Sequence, residues 1–500
     1  MGVTDPNGNN ASSETKSGHV NVGFEGFDDP GIVPPKVATE DVSAEAEGVE
    51  EDDGIEREQW GNPLEFLMSC ISLSVGLGNI WRFPYTAYKN GGGAFLIPYL
   101  IVLTFIGRPV YFLEIALGQF SSYGPVKMWG ISPFFKGVGY GSAIGTTCIL
   151  SYYAMLMGSV FELDGEASNI SVSQLFFENE KMLEPQVWFE AIGQCFFSLN
   201  TGFGPLIMFG SYNGFRQNSY RDAWIVSGLD TFTSLFAGIT VFAVLGNLAG
   251  ELGVDVQDVA RGGAGLTFVS FAQGLGTFTV VPQLFSVLFY IMLLTLGVGS
   301  GVSLSGTVIA VIHDNNPQWS RPWIVTGVCT GGFLLGIMYT TPGGQFLSDL
   351  VDYFGANFVI YLMVMLEAIG VSWVYGINNI IDDFEFMLDR KLGWYWKICW
   401  AFIVPVGLGF ILIYSLATSE RMTYNKLRYP DGVIVFGWLI AGLAFAVIPF
   451  YAIKAIRKTK GDTLMEKIKV SFQPTEDWGP KRSKFRKEWL AHKQQKKDQN

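Results

Sequence analysis

Between residues 62 and 456 this chain returns repeatedly to apolar runs of membrane-crossing length, and that pattern sets what it can fold into. A bilayer interior offers no partners for backbone N–H and C=O groups, so a chain built from many such runs folds as a helical bundle. Ten candidate spans are read, at about 62–88, 94–120, 137–161, 188–215, 221–249, 277–312, 321–341, 350–380, 394–418 and 433–456. Each reaches the ~20 residues that a straight crossing needs, and the longer ones imply tilt or breaks. Charged residues are only 16% of the chain and the mean hydropathy is +0.29, values that exclude a soluble enzyme and a single-pass receptor. The expected class is an all-α polytopic membrane protein.

The ends differ in charge. Residues 1–58 are acidic, with Glu40, Asp41, Glu50, Glu51, Asp52 and Asp53, and are expected to be a disordered tail. Residues 457–500 are basic, with Arg457, Lys458, Lys460, Lys481, Arg482, Lys484, Arg486 and Lys487. A basic cluster directly after the last span places that end in the cytosol, and an even number of spans puts both termini there. The five cysteines fall in apolar segments, so no disulfide or metal spacing is implied. Asn169-Ile170-Ser171 is a glycosylation sequon in the external stretch before residue 188. No nucleic-acid partner and no organic cofactor are expected; the partners are the lipid bilayer and a small molecule.

Ser69–Pro84, SCISLSVGLGNIWRFP, interrupts the first span with Ser72, Ser74, Gly76, Gly78 and Asn79, then adds Arg82. Two readings are open: a broken helix that holds a small ligand at mid-membrane, or a glycine packing face. A second interruption, QCFFSLNTGFG at 194–204, repeats the pattern with Ser198, Asn200, Thr201, Gly202 and Gly204. Paired breaks in separate parts of a chain point to a transporter site, where half-helix ends bind a carboxylate and unwound carbonyls bind a cation. Asp230 lies inside the fifth span, where a carboxylate is costly without a cation; Glu114 and Glu367 are intramembrane too, and structure alone could explain either.

These motifs resemble the neurotransmitter:sodium symporter family. GLGNIWRFPY at 76–85, NGGGAFLIPY at 90–99, EIALGQF at 114–120, SYY at 151–153, FFSLNTGFG at 196–204, SYNGF at 211–215, YRDA at 220–223 and SWVYGINN at 372–379 carry the likeness. It covers about residues 57–456, and the nearest branch is the sodium-dependent nutrient amino acid transporters of insects. The resemblance implies an inverted-repeat sodium symporter fold with broken first and sixth family helices. It implies sodium-coupled, chloride-influenced symport of neutral amino acids across the plasma membrane by alternating access, rather than enzymatic activity.

The same resemblance implies a substrate pocket of Gly76, Leu77, Gly78, Tyr153, Phe197, Ser198, Asn200 and Phe203, with Phe203 closing over it. Gly76 stands where monoamine carriers have an aspartate, so the substrate is expected to bring its own carboxylate. A first sodium site would use Ser74, Asn79, Ser198 and Asp230, the last in place of the family's usual asparagine. A second would use Ser72, Val75, Leu296, Gly299 and Ser300. Relatives often carry Asp or Thr at the position of Gly299, so one side-chain ligand is missing there. Chloride would be held by Tyr99, Gln194, Ser198 and Ser234. Arg82 and Asp352 match the external gate, with Asp349 one turn away. Arg57 and Trp60 match a cytoplasmic latch, with Asp314 as the carboxylate partner, or His313 in that slot under a one-residue shift.

The family has twelve helices and this chain ten. Family helices four and five are expected to be absent, with the junction near 160–161. An even number of lost crossings preserves the orientation downstream. The alternative reading is therefore a shortened, non-transporting form that binds or regulates full-length family members.

Overall fold

The computed structural model describes residues 59–158, 183–252, 281–341, 343–418, 423–424 and 427–499. Arg57, Asn169, the acidic tail and the 160–161 junction lie outside these residues.

Asn62 opens α1 (Pro63–Ser74): its side chain accepts the Glu65 amide, and Pro63 takes the first turn, where a missing N–H costs nothing. The helix stops at Val75, whose backbone is extended (φ −80°, ψ 91°), and α2 (Gly78–Lys89) resumes at an angle of 40°. Then follow α3 (Gly92–Ser121), α4 (Lys136–Gly158), α5 (Pro185–Leu199), α6 (Pro205–Gly210), α7 (Ser219–Leu252) and α8 (Pro282–Asn315). The bundle closes with α9 (Arg321–Thr340), α10 (Gly344–Leu388), α11 (Trp394–Ala417) and α12 (Asp431–Lys458). Helices stand at all ten expected positions. Among the described residues seven are long and apolar enough to cross a membrane, and the bent α1–α2 pair makes an eighth. A two-residue antiparallel ladder, Thr423–Tyr424 with Leu427–Arg428, precedes α12.

The second break is made by left-handed backbone. Asn200 (φ 54°), Gly202 (φ 81°) and Gly204 (φ 95°) crowd three such residues into five positions, which no right-handed helix can pass. Pro205 then restarts the chain as α6. The first break works differently. Val75 leaves the helix, while Gly76 and Gly78 admit neighbours: a Cβ there would lie 2.6 Å from Ser300 Oγ and 3.0 Å from the Phe197 ring. Close approach, the packing role left open by the sequence, is what these two glycines supply.

Side chains on the outside of the bundle, among them Phe232, Val302, Phe410 and Leu443, are exposed and apolar, the surface that acyl chains cover. This is a multi-pass membrane protein. The basic C-terminal stretch folds back as α13 (Leu464–Ser471) and α14 (Ser483–Gln499). Trp489 is buried and donates its indole N–H to Asp383 Oδ1 at 2.8 Å, and Lys493 Nζ pairs with the same oxygen at 2.7 Å. Phe485 stacks on Phe215 at 4.6 Å, just beyond α6.

Candidate functional site

The two breaks face each other and are tied together by polar side chains. The Leu73 carbonyl, left without its i+4 partner where α1 ends, accepts Asn200 Nδ2 at 3.0 Å and Ser300 Oγ at 3.3 Å. Gln194 Nε2 reaches Gly78 O at 3.4 Å, and Thr146 Oγ1 on α4 donates to Phe203 O at 2.6 Å. Glu114 on α3, fully buried, accepts the Gly202 amide at the second break at 2.5 Å. Apart from Gly78 O, which already accepts the Phe83 amide, each of these is a backbone group at or beside a break that takes a side-chain partner. Sequence periodicity carries no sign of these contacts, since each joins residues at least 57 apart.

Asn79 is the hub. Its Nδ2 lies 2.7 Å from Asp230 Oδ1, 2.8 Å from Ser234 Oγ and 3.3 Å from Ser198 Oγ, while its Oδ1 accepts the Gly76 amide at 3.0 Å. Ser198 Oγ also donates to Asp230 Oδ1 at 2.8 Å. Asp230 is fully buried, and its second oxygen, Oδ2, has no hydrogen-bond partner among the described residues. A buried carboxylate oxygen left bare is a ligand that a cation would satisfy. Among the described residues no three His, Cys, Asp or Glu side chains gather, so the donor set is one of hydroxyls, amides and a single carboxylate. Such hard oxygens suit sodium rather than a transition metal. Ser74 is buried at the end of α1. Of the residues expected for chloride, Tyr99, Ser198 and Ser234 converge on Asp230 or on Asn79, whereas Gln194 turns to the Gly78 carbonyl.

A cavity beside this hub is lined by Gly76, Leu77, Gly78, Tyr153, Phe197, Ser198, Asn200 and Ser300, with Ile149 and Leu304 supplying apolar wall. Phe203 is buried and does not line it. The left-handed turn at Gly202 and Gly204 directs that stretch toward α4. The covering ring is Phe197, with the Arg82 guanidinium over it at 4.2 Å.

Arg82 Nη1 lies 3.3 Å from Asp352 Oδ1. Tyr152 OH donates to that oxygen at 2.7 Å, and Asn357 bridges Asp352 Oδ2 (3.0 Å) and Arg82 Nη2 (3.3 Å). Asp349 instead accepts Gln345 at 3.2 Å, so the register settles on Asp352. Tyr152 and Asn357 were not anticipated; the doubled tyrosine at 152–153 was the only signal. Replacing Arg82 with alanine removes both the ion pair and the cation over Phe197. Charge-assisted contacts of this kind contribute roughly 1.5–3 kcal/mol. Uptake by the variant should fall about 10- to 100-fold, whereas Asp349→Asn should stay within about threefold of wild type. Trp60 packs against the end of α6, its indole donating to Phe209 O at 3.1 Å, and Asp314 sits half-buried near the end of α8.

The second predicted cation group is looser. Val75 and Leu296 are half-buried, Ser300 is buried, and Ser72 is exposed beside Gly299.

Comparison with known proteins gives the family and the fold. The sodium:neurotransmitter symporter family model matches residues 57–163 and 159–459. Sodium-dependent nutrient amino acid transporter 1 of Drosophila melanogaster is 39% identical over 580 residues, covering 88% of this chain and 90% of the relative. Its counterpart in Drosophila persimilis is 37% identical over 622 residues, covering 96% and 94%. The crystal structure of MhsT in complex with L-phenylalanine superposes with a TM-score of 0.61 at 23% identity, covering 72% of this chain and 99% of that one. That likeness speaks to the fold. The two family matches meet at 159–163, and an alignment of 580 positions that uses about 440 of the 500 residues leaves about 140 positions without a counterpart here. By motif, by fold and by the pairing of its two broken helices, this chain belongs to the sodium:neurotransmitter symporter family.

Proposed function

We propose that this chain is a sodium-coupled symporter of neutral amino acids in the plasma membrane, with both termini in the cytosol. The observation that carries the reading is the Asn79–Asp230–Ser198 hub, which joins the two helix breaks and leaves one Asp230 oxygen bare. Sodium bound by Ser74, Asn79, Ser198 and Asp230 fixes the break residues in one arrangement. The same break amides, at Leu77 and Gly78, then meet the substrate carboxylate beside Tyr153. Binding of the ion and of the amino acid are thereby linked, because each orders the backbone that the other needs. Gly76 leaves no acidic side chain to meet an amine, in keeping with a zwitterionic cargo. Nutrient amino acid transport by the Drosophila relatives supports the cargo class. Chloride modulates rather than drives the cycle, since Asp230 already places a negative charge among its expected donors. Closure of Phe197 under the Arg82–Asp352 pair occludes the pocket on the outer side, and Arg57, Trp60 and Asp314 latch the inner side.

A second reading, a shortened form that regulates full-length relatives, is favoured by the family match broken at 159–163. Family helices four and five are the segment it lacks. Uptake of a labelled neutral amino acid by cells expressing the chain, in sodium and in choline, separates the two. Sodium-dependent uptake supports the symporter; no uptake despite surface delivery, with suppression of a co-expressed full-length relative, supports the regulator.

A further inference from the structure

We infer that the cleft where α3, α7 and α11 meet the lipid binds the headgroup phosphate of an anionic phospholipid, with Arg108 as its deeper ligand and Arg390 at its mouth. Arg108 lies within α3, a helix of membrane-crossing length, where a cation is costly unless something neutralises it. Arg82 meets that demand with Asp352 at 3.3 Å. Arg108 makes no ion pair among the described residues. Its Nε donates to Ser227 Oγ at 2.9 Å, and its guanidinium carbon stands 4.1 Å from the centre of the Trp224 ring. Both partners are neutral. The serine hydroxyl takes one N–H of the guanidinium, and no hydrogen bond among the described residues takes the two Nη groups. A planar fork of N–H donors without an anion is the group that grips a phosphate in bidentate fashion.

The neighbours set the depth of this fork and leave its approach open. α7 begins at Ser219 and α11 at Trp394, and both beginnings lie alongside the same stretch of α3. Tyr395 OH donates to Thr104 O, and the Tyr220 and Trp396 rings lie 5.6 and 4.7 Å from that of Phe112. Arg108 thus stands where two helices enter the membrane, at the level of the headgroups. α3 itself runs on to Phe120, which Trp489 of α14 covers at 5.9 Å. Trp224 and Trp394, 42% and 74% exposed, are the aromatic residues usual at that level. One turn beyond Trp224, a Cβ on Gly228 would meet nothing within 4 Å, so the face of α7 beside the guanidinium is open. A second cation stands over the ring one turn earlier on the same face: the guanidinium carbon of Arg390, in the link before α11, is 4.0 Å from the centre of Tyr220. Arg390 is exposed, and it too makes no ion pair among the described residues. Basic clefts between crossing helices are where anionic headgroups bind. The exposed apolar side chains of Phe105 and Leu229 flank the cations and offer a wall to acyl chains, which a free phosphate could not use.

Native mass spectrometry of the purified protein in detergent, titrated with phosphatidylglycerol or with phosphatidylcholine, reads the preference. Wild type should hold phosphatidylglycerol at least about tenfold more tightly, as a charge-assisted contact requires. Arg108→Gln should bring the two lipids to within about threefold of each other, whereas Arg108→Lys, which keeps the charge without the fork, should lose only part of the preference. Arg390→Gln should weaken phosphatidylglycerol by about threefold, the scale of an exposed charge. Inorganic phosphate at matched concentration should not displace the lipid. A wild type that holds both lipids alike, or an undiminished preference in Arg108→Gln, overturns the proposal. Should Arg108→Gln fail to yield folded protein, an undiminished preference in both Arg108→Lys and Arg390→Gln overturns it instead. Displacement by inorganic phosphate as effective as that by phosphatidylglycerol would make this a free-anion site and overturn the lipid assignment. None of these readings depends on what the chain transports.

Discussion

Replacing Asp230 with alanine is expected to abolish sodium-dependent uptake while leaving the protein folded and at the surface. Asp230 is the only formal charge in the hub, and its bare oxygen is the strongest cation ligand there. Removing one partner of a buried charge pair costs about 3–5 kcal/mol, which weakens sodium binding by roughly 150- to 4,000-fold. Asn79 and Ser198 lose a shared acceptor, but each keeps another contact within the cluster. Asp230→Asn should be milder, because its one amide oxygen can still face the ion, although an NH2 group then stands where Asn79 and Ser198 had their acceptor. The expected order of sodium midpoints is therefore wild type, then asparagine, then alanine. Equal midpoints in all three would remove the ion from this hub.

The second large effect is on assembly. α6 lies backbone to backbone on α3. A Cβ on Gly118 would sit 2.1 Å from Ile207 O, and one on Gly210 would sit 2.3 Å from Ile115 O. Both obstacles are main-chain atoms that cannot rotate aside, so the helices themselves must part. Overpacking usually costs about 1–3 kcal/mol even when side chains can adjust. Gly118→Val or Gly210→Val should exceed that range, against a total margin of only about 5–15 kcal/mol for a typical fold. Detergent extracts of either variant should lose the monodisperse peak on size-exclusion chromatography. Gly228→Ala, where nothing stands within 4 Å of the added atom, should be indistinguishable from wild type. The pair explains how a six-residue helix can anchor half of the site: α6 is too short to hold itself, and the glycine contact fixes it to the long α3.

What the sequence disclosed follows from what is local. Apolar runs revealed the spans, because lipid imposes length and composition on each helix separately. The breaks were legible because Ser, Asn and Gly in mid-span have no other economical use. Asp230 and Arg82 were visible as charges in apolar surroundings. The contacts that make the breaks a site were not legible: Asn200 to Leu73 spans 127 residues and Glu114 to Gly202 spans 88, and neither leaves a periodic trace. Glu114 could be seen as buried, but not as the group that holds the second break open. Glycine was legible as special at 76 and 78 but its role was not, since a tight backbone turn and a tight contact demand the same residue. The basic C-terminal stretch looked like a charged tail. Only the fold shows Trp489 and Lys493 closing on Asp383.

The central claim is that the two breaks form a single site in which a cation and a carboxylate depend on each other. Equilibrium binding of a labelled neutral amino acid, phenylalanine for instance, to the purified chain in sodium and in choline tests this most directly. Affinity should rise at least about tenfold with sodium in the wild type and stay flat in Asp230→Ala, as linkage of about 1.4 kcal/mol or more requires. Binding that is equally tight in both salts, or an undiminished sodium effect in Asp230→Ala, would contradict it.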